Sequence, residues 1–216
     1  MTTRWVLQCD IRIHLDTMDI LGLVVLAAVV WHLLRSGDQR QRIAALRNFL
    51  RRYPIERLME QISIGYTRAL GESDTSRREQ IWALLGTSEA ELSSQFSRFA
   101  QAFAQVDERA ARVSRVALPF AARWLPSACF DARQALAIHA QGLARLVRND
   151  YHLPLRDKAY TYLAELLLMQ HTCHWFCRSR AIASARMWTT HHTTYEQALA
   201  AVTPETREAY RALIGH

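Results

Sequence analysis

Only one stretch of this 216-residue chain brings together side chains able to bind a metal or act as nucleophiles: Gln170-His171-Thr172-Cys173-His174-Trp175-Phe176-Cys177-Arg178, with His191-His192 a short way on. On a helix Cys173 and Cys177 share a face, and His174, three past His171, neighbours Cys177. Thiolate and imidazole are ligands for zinc or another borderline transition metal. His171, Cys173, His174 and Cys177 could supply part of a tetrahedral site if Cys129 or His139 came from a facing helix. The spacing lacks a Cys-x-x-Cys pair, and two ligands on one rigid helix do not close a site. Cysteine also serves as a small apolar filler, which suits Cys173 on an apolar seam. The expectation is therefore packing, with no cofactor, and metal binding is the alternative.

Other chemistries leave less trace. The chain has no glycine-rich phosphate loop, no Gly-x-Ser-x-Gly elbow and no His-Glu-x-x-His. Glu56 and Glu60 sit four apart among arginines, the pattern of a solvated face with salt bridges. No motif ties the chain to a known family, and no catalytic residue is assigned.

The segment that would position everything else lies near the front. From Ile20 to Trp31 no residue is polar, and Ile20, Leu21, Leu23, Val24, Val25, Leu26, Val29, Val30 and Trp31 leave no polar stripe for a globular surface. As a helix, residues 20–34 span about 22 Å against roughly 30 Å of hydrocarbon, which is short for a crossing. A buried core helix is the competing reading. Trp31 and Arg35 at one end suit an interface, and the basic residues that follow place the bulk of the chain on the cytoplasmic side. No small-x-small cleavage site follows, so an uncleaved signal-anchor is expected over a cleaved signal peptide. The expected location is a bacterial-type inner membrane, crossed once. Met18 directly precedes the run, which raises the possibility of translation starting there and of residues 1–17 being an untranslated or disordered extension.

After the anchor, Arg40, Arg42, Arg47, Arg51 and Arg52 oppose Ile43, Leu46, Phe49 and Leu50, a basic amphipathic helix able to meet anionic lipid or an acidic partner. Tyr53-Pro54 ends it and opens the next helix. Gly71-Glu72-Ser73-Asp74 breaks that one, and a short helix runs from Thr75 to a stop at Gly86. Ser88-x-x-Glu91 then has the form of a capping box, starting a helix whose seam is Leu92, Phe96, Phe99, Phe103, Val106, Ala110, Val113 and Ala117, ending at Pro119. Ala132, Leu136, His139, Leu143 and Leu146 repeat the spacing, with His139 expected to be a hydrogen-bonded core histidine. From Pro154 one long helix carries Tyr162, Leu166, Met169, Cys173, Phe176, Ala183 and Met187, and Thr203-Pro204 caps a last short one.

These elements define the expected fold: all-α, with an N-terminal single transmembrane or signal-anchor helix followed by an up-and-down bundle of long amphipathic helices. Its parts are an extension (1–17), the anchor (18–35), basic juxtamembrane helices (36–72) and a cytoplasmic bundle (73–216). With 50% hydrophobic and 22% charged residues there is enough apolar material for one compact core beyond the anchor. The formal charge of +7 admits anionic lipid, an acidic partner or nucleic acid, though no nucleic-acid recognition motif is present. The expected function is a membrane-anchored interaction or scaffold protein, with inner-membrane lipid and a protein, or a second copy of the chain, as partners. A basic nucleic-acid-binding helical protein is a further alternative.

Overall fold

A computed structural model describes residues 3–116 and 124–215, with side-chain surroundings from residue 19 onward. Its first element, α1 (Thr3–Leu50), is a single helix of 48 residues that contains both the apolar run and the basic stretch behind it. The two halves differ. Eleven large apolar side chains between Ile20 and Leu34 stand exposed, and the apolar window is not buried inside the chain. Leu46, further along, belongs to the core, with Phe49 and Leu50 packed against it. By length and composition α1 can cross a membrane.

Helices dominate the rest: α2 (Ile55–Gly71), α3 (Thr75–Phe103), α4 (Glu108–Ala111), α5 (Ala132–Arg148), α6 (Leu155–Cys177), α7 (Arg180–His191), α8 (Tyr195–Ala201) and α9 (Pro204–Ile214). Two three-residue strands, β1 (Arg112–Ser114) and β2 (Cys129–Asp131), pair antiparallel with Val113 opposite Phe130. The all-α architecture holds, with one N-terminal helix long and apolar enough to span a membrane ahead of a helical bundle.

Local chemistry explains the boundaries. Tyr53-Pro54 separates α1 from α2, because proline disfavours the helical conformation in the residue before it. Asp74 caps α3 by accepting from the Arg77 N–H at 3.0 Å. Asn149 ends α5 in the left-handed region, at φ 54°. Thr203 caps α9 ahead of Pro204, as its sequence implies.

Three boundaries depart from the sequence expectation. Gly86 does not stop a helix: α3 runs through it, because Leu85, Glu89, Leu92, Phe96, Phe99 and Phe103 form one buried stripe whose burial outweighs the local cost of an exposed glycine. Ser88 sits inside that helix and donates back to the Leu84 carbonyl at 3.5 Å, so Ser88-x-x-Glu91 starts nothing. The capping box that does operate is Thr194 with Gln197 at α8. The long seam also ends early, at Phe103. Asp107 caps the one-turn α4, and Val113 is buried from a strand, a period-two placement that a helical spacing mimics over so few residues. Ala117 and Pro119, the last positions of that seam, lie outside the described residues. Finally, α6 stops at Cys177, and Ser179 caps α7 by accepting from the Ile182 N–H, so Ala183 and Met187 reach the core from a separate helix.

Contacts between side chains set the direction of each helix. Tyr53 packs on Phe99 while Tyr66 reaches Trp82 and Glu89, so α2 and α3 are antiparallel. Phe130 meets Trp175 just ahead of α5, while within it His139 meets Thr172 and Glu165, which runs α5 antiparallel to α6. Gln39 meets Arg178 and Arg42 the Phe176 carbonyl, placing α1 antiparallel to α6 as well.

One close approach fixes α5 against α6 and α9. A Cβ added at Gly142 would lie 2.6 Å from Thr206 Oγ1 and 2.9 Å from the Glu165 carboxylate, all buried. We expect Gly142→Ala to cost about 1–3 kcal/mol, the usual penalty for forcing volume into a packed core. A urea midpoint followed by circular dichroism measures it, and a midpoint unchanged from wild type would contradict the packing described.

Candidate functional site

The helix directions leave a cleft of about 1120 Å³ between the second half of α1, the start of α2, the second half of α6 and the end of α7. Its floor is apolar, with Leu46, Leu50, Ile55, Met59, Phe96, Met169 and Met187. Methionine side chains adapt to irregular shapes, which suits an accommodating groove better than a rigid slot. Exposed guanidinium groups stand along it: Arg47 from α1, Arg51 just past its end, Arg57 from α2 and Arg186 from α7. Among the described residues none of these four forms an ion pair, although Glu56 and Glu60 also line the cleft.

The arginines expected to act together divide by helical geometry. Arg40 and Arg47 fall on one stripe of α1, with Arg51 following just past its end, whereas Arg42 lies well round the helix and turns inward. Arg42 pairs with Asp38 at 3.1 Å, donates to the Arg112 carbonyl at 2.9 Å and to that of Phe176 at 3.5 Å, and sits over the Phe176 ring. It clamps α1 to α6 and β1. Arg52 lies over the Phe49 ring. Arg57 and Arg186 escaped the sequence reading because no periodicity links separate helices. We expect Arg42→Met to destabilise the folded chain by about 1–3 kcal/mol, since the partly buried Arg112 and Phe176 carbonyls lose a charged donor. Arg47→Ala and Arg51→Ala should stay within about 0.5 kcal/mol. Equal effects in urea titrations would remove the distinction drawn between inward and outward arginines.

His171, Cys173, His174 and Cys177 all reach the cleft wall, near His191. Among the described residues no three His, Cys, Asp or Glu side chains converge as a ligand set. His171 is buried, with Nε2 3.0 Å from Ser184 Oγ and its ring 4.7 Å from that of Tyr195. Burial, helped by Arg180, pushes its pKa down to about 3, so the ring is neutral. Burial also holds His174 below the ordinary histidine value, with Arg186 and His191 adding to the shift. The Cys173 thiol is pushed up to about 12 by burial and by Cys177 beside it, and burial lifts Cys177 to about 11. Such thiols carry almost no thiolate at neutral pH, the form that metals and electrophiles take. Alkylation of the folded chain by iodoacetamide at pH 7, mapped by mass spectrometry, should therefore be slow at Cys173 and Cys177 and fast once the protein is unfolded. Rapid modification of both in the folded state would contradict the environment described.

The depressed His171 value has a consequence for acid stability. Between pH 6.5 and about 3 the unfolded chain binds a proton there that the folded chain refuses. Its contribution is complete above pH 6.5 and is lost as pH falls through that window. Stability should thus fall on acidification, and less steeply in His171→Gln. Parallel pH profiles for the two proteins would sink this assignment.

His139, expected in the core, is fully buried on α5. Its Nδ1 lies 2.9 Å from Glu165 Oε1 and its Nε2 3.0 Å from Thr172 Oγ1, which in turn is 2.8 Å from the Tyr210 hydroxyl. A second buried polar group centres on Glu89 of α3, bonded to Tyr66 and Lys158. Both join helices and neither opens onto the cleft lining, so they belong to the scaffold. No family model, curated protein or solved structure matches the chain.

Proposed function

We propose that this is a single-span, membrane-anchored interaction module, with its helical bundle on the cytoplasmic side and its basic cleft open to an acidic partner. One observation carries the reading: a single unbroken helix has a bare apolar half and a half built into the bundle core. Leaving eleven large apolar side chains in water is costly, at about 1.5–3 kcal/mol for each one that full burial would remove, and a bilayer removes them together. The arginines behind the apolar run support the orientation, since basic residues close to a span stay on the cytoplasmic side. The unpaired guanidinium groups along the cleft support an anionic partner, for which arginine offers paired donors.

Reporter fusions at the C-terminus test the orientation in a bacterial host. A fluorescent protein that matures only in the cytoplasm should be bright there, and an alkaline phosphatase fusion inactive. An active phosphatase with a dark fluorescent fusion would reverse the assigned topology.

A further inference from the structure

We propose a second membrane contact on this protein, made by Val116, Trp124 and Leu125 beside the strand pair, resting on the lipid headgroup layer. The inference rests on the anchor reading above and adds a docking surface to it.

The directions of the helices place that surface. Since α1 is antiparallel to α6, the apolar half of α1 leaves the bundle at the end where α6 stops. There Gln39 accepts from the Arg178 guanidinium at 3.1 Å. The same end holds the strands: Arg112 offers its carbonyl to Arg42, and the Trp175 indole donates to the Ser114 carbonyl at 2.9 Å. It also holds the end of α9, because the Arg115 guanidinium reaches the Leu213 carbonyl at 3.1 Å. From Leu34 to Gln39 is five helical steps, about 7.5 Å along the axis. The headgroup layer on each side of the hydrocarbon is about 5–8 Å deep. With α1 upright, this end of the bundle meets lipid headgroups.

The side chains found there suit that layer. Trp124 is 74% exposed, Leu125 42% and Val116 40%. Tryptophan favours the membrane interface, where its ring is sheltered and its N–H stays wet. Several backbone groups around the patch are already satisfied from within, as apposition to lipid requires. The Ser114 hydroxyl donates to the Val116 carbonyl at 2.6 Å, the Ala128 N–H to that of Leu125 at 3.0 Å, and the Arg115 N–H to that of Ala128 at 2.9 Å. These bonds also fix Val116 and Leu125 in place. A bilayer is the occupant because the tether sets the level of the patch relative to the span.

Tryptophan quenching in the full-length chain tests this. The protein is reconstituted into phosphatidylcholine–phosphatidylglycerol vesicles carrying bromine either high or deep on the acyl chains. Subtracting the spectrum of Trp124→Phe isolates Trp124, and subtracting that of Trp31→Phe isolates the anchor. Both positions should be quenched, Trp124 more by shallow bromine than by deep. If Trp31 is quenched and Trp124 is not, the second contact is overturned and the anchor stands. Quenching of neither overturns both. Trp124 shielded from aqueous iodide yet untouched by bromine would mean that another copy of the chain covers the patch, which also overturns the proposal.

Discussion

Glu89→Ala is expected to lower the stability of the bundle by about 3–5 kcal/mol, the usual cost of removing one partner of a buried ion pair. Glu89 is 3% exposed on α3 and holds three helices together. Its Oε1 accepts from the Tyr66 hydroxyl of α2 at 2.6 Å, and its Oε2 accepts from Lys158 Nζ of α6 at 2.5 Å. Its backbone carbonyl takes the Tyr162 hydroxyl at 3.2 Å. Burial, then the neighbouring carboxylate, pushes the ionisation of Tyr66 and Tyr162 far above the ordinary tyrosine value, so both remain donors. Truncation at Glu89 leaves an ammonium and a phenol facing an apolar gap. Glu89→Gln keeps an acceptor for Tyr66 and should cost less. Glu89→Leu combined with Lys158→Met should recover much of the loss, because no charge is then stranded. Urea titration of the four proteins reads the series, and a loss below about 1 kcal/mol in Glu89→Ala would show that the pair is solvated after all.

Glu165→Ala should be comparably damaging, at about 3–5 kcal/mol. Glu165 and His139 are both fully buried, and the chain of contacts from Glu165 through His139 and Thr172 to Tyr210 ties α5, α6 and α9 together. Removing the carboxylate leaves buried His139 Nδ1 without its partner. It also opens space beside Gly142, whose missing side chain is what admits the carboxylate. His139→Leu with Glu165→Leu removes both polar partners and should be milder than Glu165→Ala. A cycle of the single and double variants measures the coupling. Additive effects would mean that the two side chains do not act as a pair.

Both acids illustrate what a sequence conceals. Glu89 stands within Ser88-Glu89-Ala90-Glu91, where the apparent cap motif draws attention to a helix start and hides an interior position. Glu165 precedes three leucines and carries no sign of its partner 26 residues earlier. Pairing between helices depends on which faces meet, and periodicity within each helix is silent on that. The apolar run before Arg35, the break at Tyr53-Pro54 and the burial of His139 were legible because each rests on local chemistry alone: a side chain's affinity for water, a fixed φ, or a polar group on an apolar stripe. The strand pair was not, since three residues of period two fit inside a helical seam. Nor was the cleft, whose Arg57 and Arg186 join Arg47 and Arg51 only when four helices assemble.

In the function proposed above, the exposed apolar half of α1 is held in lipid. Fractionation of cells expressing the full-length chain, beside a chain lacking residues up to Leu34, tests it most directly. The full-length protein should sediment with membranes, resist alkaline carbonate and be released by detergent, while the shortened chain stays in the supernatant. Release of the full-length protein by carbonate, or the same partitioning for both chains, would contradict the account.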